Sequence, residues 1–196
     1  MPVTKRGRRG ADESVNVEGV LAVTQPEQTQ PTTRFEQLFL GEYPRVVAIA
    51  NRVLADRHEA EDVAQEVFMD FHRKHRPDAS YAGPWLHAAA AHTALNRIRS
   101  RKRREQREVR HVTDASNQVE SPDPERVLES KETRRQVRQA LAQLPPKPAA
   151  VLVLRYSGLS YAEVAQALGV GVGQVGTLLR RAEAALRKEV IRGTSL

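Results

Sequence analysis

Residues 159–186 read LSYAEVAQALGVGVGQVGTLLRRAEAAL, and this stretch decides the fold of the chain. Ser160 has the hydroxyl of a good helix N-cap, and Glu163 follows at the spacing of a capping box. Ala165 is placed to face inward. Gly169 then supplies a residue that readily adopts left-handed backbone, the conformation that ends many helices. The stretch therefore begins with a short capped helix and a tight turn.

A second helix is predicted from about Val172, because apolar residues recur there every three or four positions. The apolar stripe is Val175, Leu178, Leu179, Ala182, Ala185 and Leu186. A small residue at the crossing, a turn glycine and an inward valine are what a helix-turn-helix requires, and its second helix would enter a DNA major groove. The alternative is an ordinary helical hairpin with a solvated basic face.

The composition of the whole chain favours a polyanionic partner. It has 196 residues, with 31 lysines and arginines against 24 aspartates and glutamates, a net charge of +7. Such an excess favours nucleic acid or an anionic membrane. The absence of cysteine excludes disulfides, thiolate metal ligands and cysteine nucleophiles. No apolar run approaches a membrane span and no apolar segment follows the basic N-terminus, so we expect a cytoplasmic protein.

Two capped helices are predicted near the start of the folded part. Thr33 and Glu36 form another capping box, and an apolar stripe follows them in which Pro44 should kink or break the helix. Asp56 begins the next helix in the same capped style. Four residues point away from the apolar stripe of this second helix and give it an acidic outer face. They are Asp62, Gln65, Glu66 and Met69.

A third helix is predicted after a loop at residues 76–83, with Pro84 in its first turn. Its C-terminal part, residues 97–110, carries eight basic residues against two acidic ones. Basic charge at a helix C-terminus complements the dipole. Eight in fourteen exceeds what the dipole needs, so we interpret the run as a phosphate-binding segment.

The remaining segments complete an all-α fold with two small helical domains. Residues 1–32 lack an apolar stripe and are predicted to be disordered. A first domain spans 33–110, a flexible acidic linker 111–125 and a second domain 126–192. The second domain adds a helix over 126–144 and another after three prolines. The core of that last helix is predicted to be Val151, Leu152, Leu154 and Tyr156.

No pattern for catalysis or for a cofactor is present. The glycines at 171–176 follow no strand and lack a P-loop lysine, and His58-Glu59 lacks the second histidine of a zinc protease helix. Two histidine pairs could each share a helix face, but no further ligands stand near them. These pairs are His72 with His75 and His87 with His92. We therefore predict no catalytic residue, no cofactor and no metal.

The chain resembles a bacterial sigma factor of the extracytoplasmic-function (ECF) type, in the sigma-70 superfamily. In the first domain the resemblance lies in AEDVAQEVFMDF (60–71) and PWLHAAAAHTALNRIRSRKRR (84–104), which are similar to sigma region 2. In the second it lies in LAQLPPKPAAVLVLRYSGLSYAEVAQALGV (141–170) and GQVGTLLRRAEAAL (173–186), which are similar to region 4. Two such blocks in this order, separated by an acidic linker, make the resemblance specific.

The resemblance implies promoter-specific transcription initiation with core RNA polymerase and promoter DNA as partners. The acidic face of the second helix would dock on the β′ clamp helices, and the resemblance also implies contact with the β flap. Residues implied to bind and melt the minus-10 element are Asp78, Ser80, Trp85, His92, Asn96, Arg99, Arg101, Lys102 and Arg103. Residues implied to read the minus-35 element are Gly173, Gln174, Gly176, Thr177, Arg180 and Arg181.

Two other functions are left open by the sequence. One is a stand-alone helix-turn-helix regulator, which would bind duplex DNA without polymerase. The other is an enzyme acting on nucleic acid, which would need a metal or nucleophile constellation that the sequence does not offer. The promoter sequence, the inducing signal and the existence of an anti-sigma partner are also left open.

Overall fold

The computed structural model describes residues 33–108 and 124–194, and in these ranges every regular element is an α-helix. The first half contains three helices: α1 (Arg34–Leu54), α2 (Arg57–Lys74) and α3 (Ala82–Glu108). The second contains four: α4 (Pro124–Gln143), α5 (Pro146–Tyr156), α6 (Tyr161–Leu168) and α7 (Val172–Thr194). The all-α prediction is confirmed. The predicted disorder of residues 1–32 and most of the predicted linker fall outside the described residues.

Helix α1 starts at the predicted capping box, where the Glu36 amide donates to the Thr33 hydroxyl. Pro44 lies inside this helix and does not break it, so a break at this position, one of the two predicted outcomes, is wrong. A proline in mid-helix leaves the carbonyl four residues earlier without its usual donor. Here that residue is Leu40, which is 68% exposed, so water can solvate its carbonyl at little cost.

Helices α2 and α3 complete the first half and bury one face each against α1. Asp56 caps α2 as predicted, accepting from the Glu59 amide at 3.0 Å. Pro84 lies in the first turn of α3, which begins two residues before it. Aromatic rings from α1 and α2 pack against each other where the two helices meet. Phe39 and Phe68, for example, pack edge to face with centroids 4.9 Å apart.

Helix α5 is buried on all sides over residues 149–154, which read AAVLVL. An apolar run without a polar face needs partners all round. Helices α6 and α7 supply some of these contacts, and α3 and α1 from the first half supply the others. The predicted core position at Tyr156 is wrong, because its ring is 53% exposed and its hydroxyl donates to Glu183 at 2.9 Å.

A single hydrophobic core therefore runs through both halves. It includes Leu86 and Leu95 from α3 and Val151 and Leu154 from α5, all fully buried. Helix α3 lies between the halves and contacts α4, α5 and α6 as well as α1 and α2. The polar residues predicted to bind DNA on α3 thus lie next to this internal contact.

Within the described ranges, no helix combines the length and apolarity needed to cross a bilayer.

Candidate functional site

The decisive stretch folds as a helix-turn-helix. The Glu163 amide donates to the Ser160 hydroxyl and the Glu163 carboxylate accepts from the Ser160 amide, so the predicted capping box is present. Gly169 has a φ of 62°, the left-handed conformation that ends α6. Ala165 and Val175 are buried where α6 and α7 approach each other, as predicted. Among the described residues, no feature favours the alternative, an ordinary helical hairpin.

The N-terminal turns of α7 present a polar surface to solvent. Gln174, Thr177, Arg180 and Arg181 are exposed, and Gly173 is exposed beside them. Gly176 is half-buried instead, with the ring of Tyr161 3.6 Å from where a Cβ would stand. A helix of this shape and polarity fits a DNA major groove.

Gln174 has a second role that sequence reasoning missed. Its side-chain oxygen accepts from the amide of Gly171, the residue before α7, at 3.2 Å. The side chain therefore caps the helix in the way that the third helical residue of a capping box does. Its NH₂ group has no partner among the described residues and can still donate to a base. The three-residue spacing of Gly171 and Gln174 was the sequence signal that could have predicted this cap.

The acidic outer face of α2 is exposed as the periodicity predicts. Asp62, Gln65, Glu66 and Met69 all lie in solvent, and Met69 is 60% exposed. Arg97 from α3 donates to the Glu66 carboxylate at 3.1 Å and to the Glu59 carbonyl at 3.3 Å. Asp62 has no ion-pair partner among the described residues. The face thus offers two carboxylates, an amide and a methionine to a partner.

The loop before α3 is held by one carboxylate. Asp78 accepts from Arg34 at 3.0 Å and from Arg76 at 3.2 Å. These bonds, the Arg76 bond foremost, lower the pKa of Asp78 below its ordinary value. Asp78 therefore positions the loop rather than presenting a free carboxylate, and its exposed neighbour Ser80 is left accessible.

An aromatic cluster lies beneath this loop. The Trp85 ring packs on Phe71 and His75, with centroids 5.4 Å and 4.7 Å away. Tyr81 meets His75 edge to face at 5.8 Å and is 49% exposed. Trp85 was predicted as a site residue, and the structure places His75 next to it and Tyr81 next to His75, which was not predicted. The aromatic residues on either side of the loop at residues 76–83 were the sequence signal that could have predicted this cluster.

The polar residues midway along α3 are partly engaged inside the molecule. Arg99 donates to the Asn96 side chain at 3.3 Å and to the Leu144 carbonyl at 2.9 Å. Asn96 itself is exposed, whereas His92 is half-buried. Burial, with Arg99 nearby, lowers the pKa of His92 below its ordinary value. The structure therefore brings these three residues together, and Arg99 also contacts the second half through the Leu144 carbonyl.

The basic run at the end of α3 is partly neutralised by its neighbours. Arg101 donates to the Glu59 carboxylate at 2.6 Å, and Arg103 donates to the Ser100 hydroxyl at 3.0 Å. Arg103 is exposed and Lys102 is half-buried. All three side chains are at or near the surface, where they can meet phosphates.

Together these features define a class of protein: a helical DNA-binding protein with a helix-turn-helix and a separate acidic helix face. Residues 38–104 match the family described as Sigma-70 region 2, and residues 134–186 match Sigma-70, region 4. The chain belongs to the sigma-70 family, in its ECF group. It is an RNA polymerase sigma factor, a class of protein that binds core RNA polymerase and promoter DNA to direct transcription initiation.

Curated relatives support this membership over most of the chain. RNA polymerase sigma-H factor of Pseudomonas aeruginosa is 32% identical over 166 residues, covering 79% of this chain and 84% of the relative. ECF sigma factor SigW of Bacillus subtilis is 31% identical over 162 residues, covering 74% and 83%. ECF sigma factor SigE of Mycolicibacterium smegmatis is 29% identical over 164 residues, covering 82% of this chain but 63% of the relative's length.

Proposed function

We propose that this chain divides promoter-specific initiation among three surfaces. The acidic face of α2 docks on the β′ clamp helices of core polymerase. The observation that carries the proposal is an exposed acidic surface on a chain with a net charge of +7. Such a face is poorly suited to DNA and suits a protein partner with complementary charge. Contact with the β flap remains part of the proposal, on the family resemblance alone.

The loop before α3, with α3 itself, binds and melts the minus-10 element. Capturing a base outside the stack requires a pocket and backbone contacts but no catalysis. Trp85 and Ser80 lie at the loop, and Asn96 and Arg99 lie about three and four turns beyond Trp85 along α3. The basic run at Arg101–Arg103 holds backbone phosphates, which supplies affinity without sequence preference.

The exposed N-terminal turns of α7 read the minus-35 element. Gln174, Thr177 and Arg181 lie at i, i+3 and i+7, so they share one face of a groove-sized helix. Arg180 borders that face and is exposed. Side chains in such positions discriminate between base pairs through their hydrogen-bond donors and acceptors.

Three broader points belong to the same proposal. The chain catalyses no reaction of its own, works in the cytoplasm, and comprises a tail at 1–32, domains at 33–110 and 126–192 and a linker at 111–125. The sigma-factor family supports the first two points. The positions of the two family matches support the domain division. An anti-sigma protein as a further partner is a question for pull-down experiments.

The substitution Asp62→Lys tests the docking surface. Asp62 is exposed and unpaired among the described residues, so the change should leave the fold intact and alter stability by no more than about 0.5 kcal/mol. Reversing a charge within a protein interface costs far more, because the partner's charge is left unmatched. We expect the variant to lose co-elution with core polymerase and promoter-dependent transcription.

The matched control is Glu189→Lys, the same reversal of charge on a different helix. Glu189 lies on α7 and is paired with Arg192, so it is not part of the proposed face of α2. This variant should retain co-elution and transcription. Equal retention by both folded variants would overturn the docking surface. The double substitution Asp62→Lys with Glu66→Lys would also remove the Glu66–Arg97 contact and is therefore a less selective test.

A further inference from the structure

A cleft of about 290 Å³ lies between α3 and α4, where the two halves of the chain meet. Helix α3 contributes Ile98, Arg101, Lys102 and Glu105 to its lining, and α4 contributes Arg135, Arg138, Gln139 and Ala142. Four of these eight side chains are cationic and one is acidic. Because the lining comes from both helices, the cleft exists only while the halves are packed together.

Two of the four cations are already neutralised. Arg101 is bonded to Glu59 at 2.6 Å, and Arg135 is bonded to Glu132 at 2.8 Å. Glu132, and more weakly Glu105, raise the pKa of Arg135 above its ordinary value. The charge of Glu105, the acidic side chain of the cleft, thus acts on an arginine that already has a partner.

Lys102 and Arg138 are the other two cationic side chains that line the cleft. Both are half-buried, and neither has an acidic partner among the described residues. Burial, followed by the nearby charges of Arg101 and Arg134, lowers the pKa of Arg138. Glu189, which lines a neighbouring cleft with Lys102, is bonded to Arg192 at 3.1 Å. Half-buried like charges without counter-ions are costly, and an anion between them would relieve the repulsion.

We propose that this cleft is a binding site for a polyphosphate or phosphodiester group. Guanidinium groups match phosphate oxygens in geometry as well as charge, and the ammonium of Lys102 adds a further donor. The lining contains no aromatic side chain on which a base could stack, so recognition is of the phosphates alone. The site goes beyond the proposed DNA contacts of α3, because Arg135 and Arg138 belong to α4.

The experiment measures binding to the full chain by calorimetry, with two probes at constant ionic strength. One probe is inorganic tripolyphosphate, and the other is a mixed-sequence single-stranded oligonucleotide without terminal phosphates. The variant is Arg138→Gln and the control is Arg73→Gln, which removes the same charge. Arg73 lies near the far end of α2 from Glu59, the residue that contacts Arg101, a distance of about 21 Å at 1.5 Å per residue.

We expect Arg138→Gln to weaken binding of at least one probe about tenfold, while Arg73→Gln leaves it unchanged. Loss confined to tripolyphosphate identifies a free polyphosphate as the ligand, and loss confined to the oligonucleotide identifies the nucleic-acid backbone. Equal affinities for wild type and both variants would overturn the proposal. If Arg138→Gln fails to fold, Lys102→Gln takes its place with the same expected and contradicting results.

The outcome of this anion-binding measurement does not depend on the outcome of the polymerase-docking test. Arg138 lies on α4, away from the acidic face of α2, and the binding measurement uses no polymerase. A failed docking test would therefore leave the anion site standing, and the reverse also holds.

Discussion

Glu163 connects the helix-turn-helix to the first half of the chain. One carboxylate oxygen accepts from the Ser160 amide and hydroxyl, each at 2.7 Å, and the other accepts from Arg45 of α1 at 2.7 Å. The Ser160 bonds foremost, with Arg45 adding to them, lower the pKa of Glu163 from 4.5 to about 2. The sequence predicts the capping box from local spacing, but no local pattern could predict a partner more than a hundred residues away.

This depressed pKa predicts a pH-dependent contribution to stability. A carboxyl group with a lower pKa in the folded state stabilises the fold fully above its unfolded value of 4.5. That contribution decreases as the pH falls below 4.5 and is lost as the pH passes through about 2. We expect Glu163→Gln, which keeps a capping acceptor, to be less stable than wild type near neutrality and to approach it on acidification. Urea melts across this range check the expectation, and a constant difference at every pH would contradict it.

At the scale of the element, local signals predict helix ends well and helix interiors less well. The caps at Thr33, Asp56 and Ser160 are visible in the sequence because they depend on residues within one turn. The possible break at Pro44 did not occur, and the sequence could not decide this, because the cost of a proline depends on whether the orphaned carbonyl reaches water. The burial of α5 on all sides was not predicted, because the prediction of inner faces relied on amphipathic stripes. The unbroken apolar run AAVLVL was the sequence signal for it.

Two glycines near the turn between α6 and α7 are expected to affect the free energy of unfolding in opposite ways when they are replaced by alanine. Gly173 is helical, and a Cβ added there would meet nothing within 4 Å. Gly173→Ala should therefore stabilise the protein by about 0.5–1 kcal/mol, because glycine loses more backbone freedom on folding. The contrasting variant is Gly169→Ala, whose φ of 62° should make it destabilising by about 1–2 kcal/mol. Thermal or urea unfolding measures both, and a destabilised Gly173→Ala variant would refute the helical assignment.

At the scale of the whole molecule, the main feature beyond sequence reasoning is the packing of the two halves on each other. The periodicity predicts each helix and its inner face, but the contacts of α3 with α4, α5 and α6 join segments far apart in the chain. Arg99 takes part in this packing, because it donates to the Leu144 carbonyl. Residues predicted from the family resemblance to bind DNA are therefore partly occupied by the chain itself.

Loosening this packing should make the proposed minus-10 surface of α3 more accessible. Arg45→Glu places two carboxylates together at the Arg45–Glu163 contact, where an exposed ion pair contributes about 0.2–1 kcal/mol. We expect the variant to bind a single-stranded minus-10 oligonucleotide up to about fivefold more tightly than Arg52→Glu. Arg52 is exposed near the end of α1 and its variant carries the same charge change, so the comparison removes the general loss of positive charge. Equal or weaker binding by Arg45→Glu, measured by fluorescence anisotropy, would contradict the expectation.

The proposed assignment of roles in promoter-specific initiation to α2, α3 and α7 is tested most directly by mapping transcript starts. Core RNA polymerase is reconstituted with the wild-type chain or with Gln174→Glu, and the transcripts made from genomic DNA are sequenced. Glutamate keeps the acceptor that caps α7 but removes the NH₂ donor, so folding is preserved while base reading changes. We expect wild-type start sites to share two upstream elements and the variant to change preference in the minus-35 element alone, at a cost of about 1–3 kcal/mol for the original base. Identical start sites for both proteins would contradict the reading role of α7, and no stimulation by the wild-type chain would contradict the account as a whole.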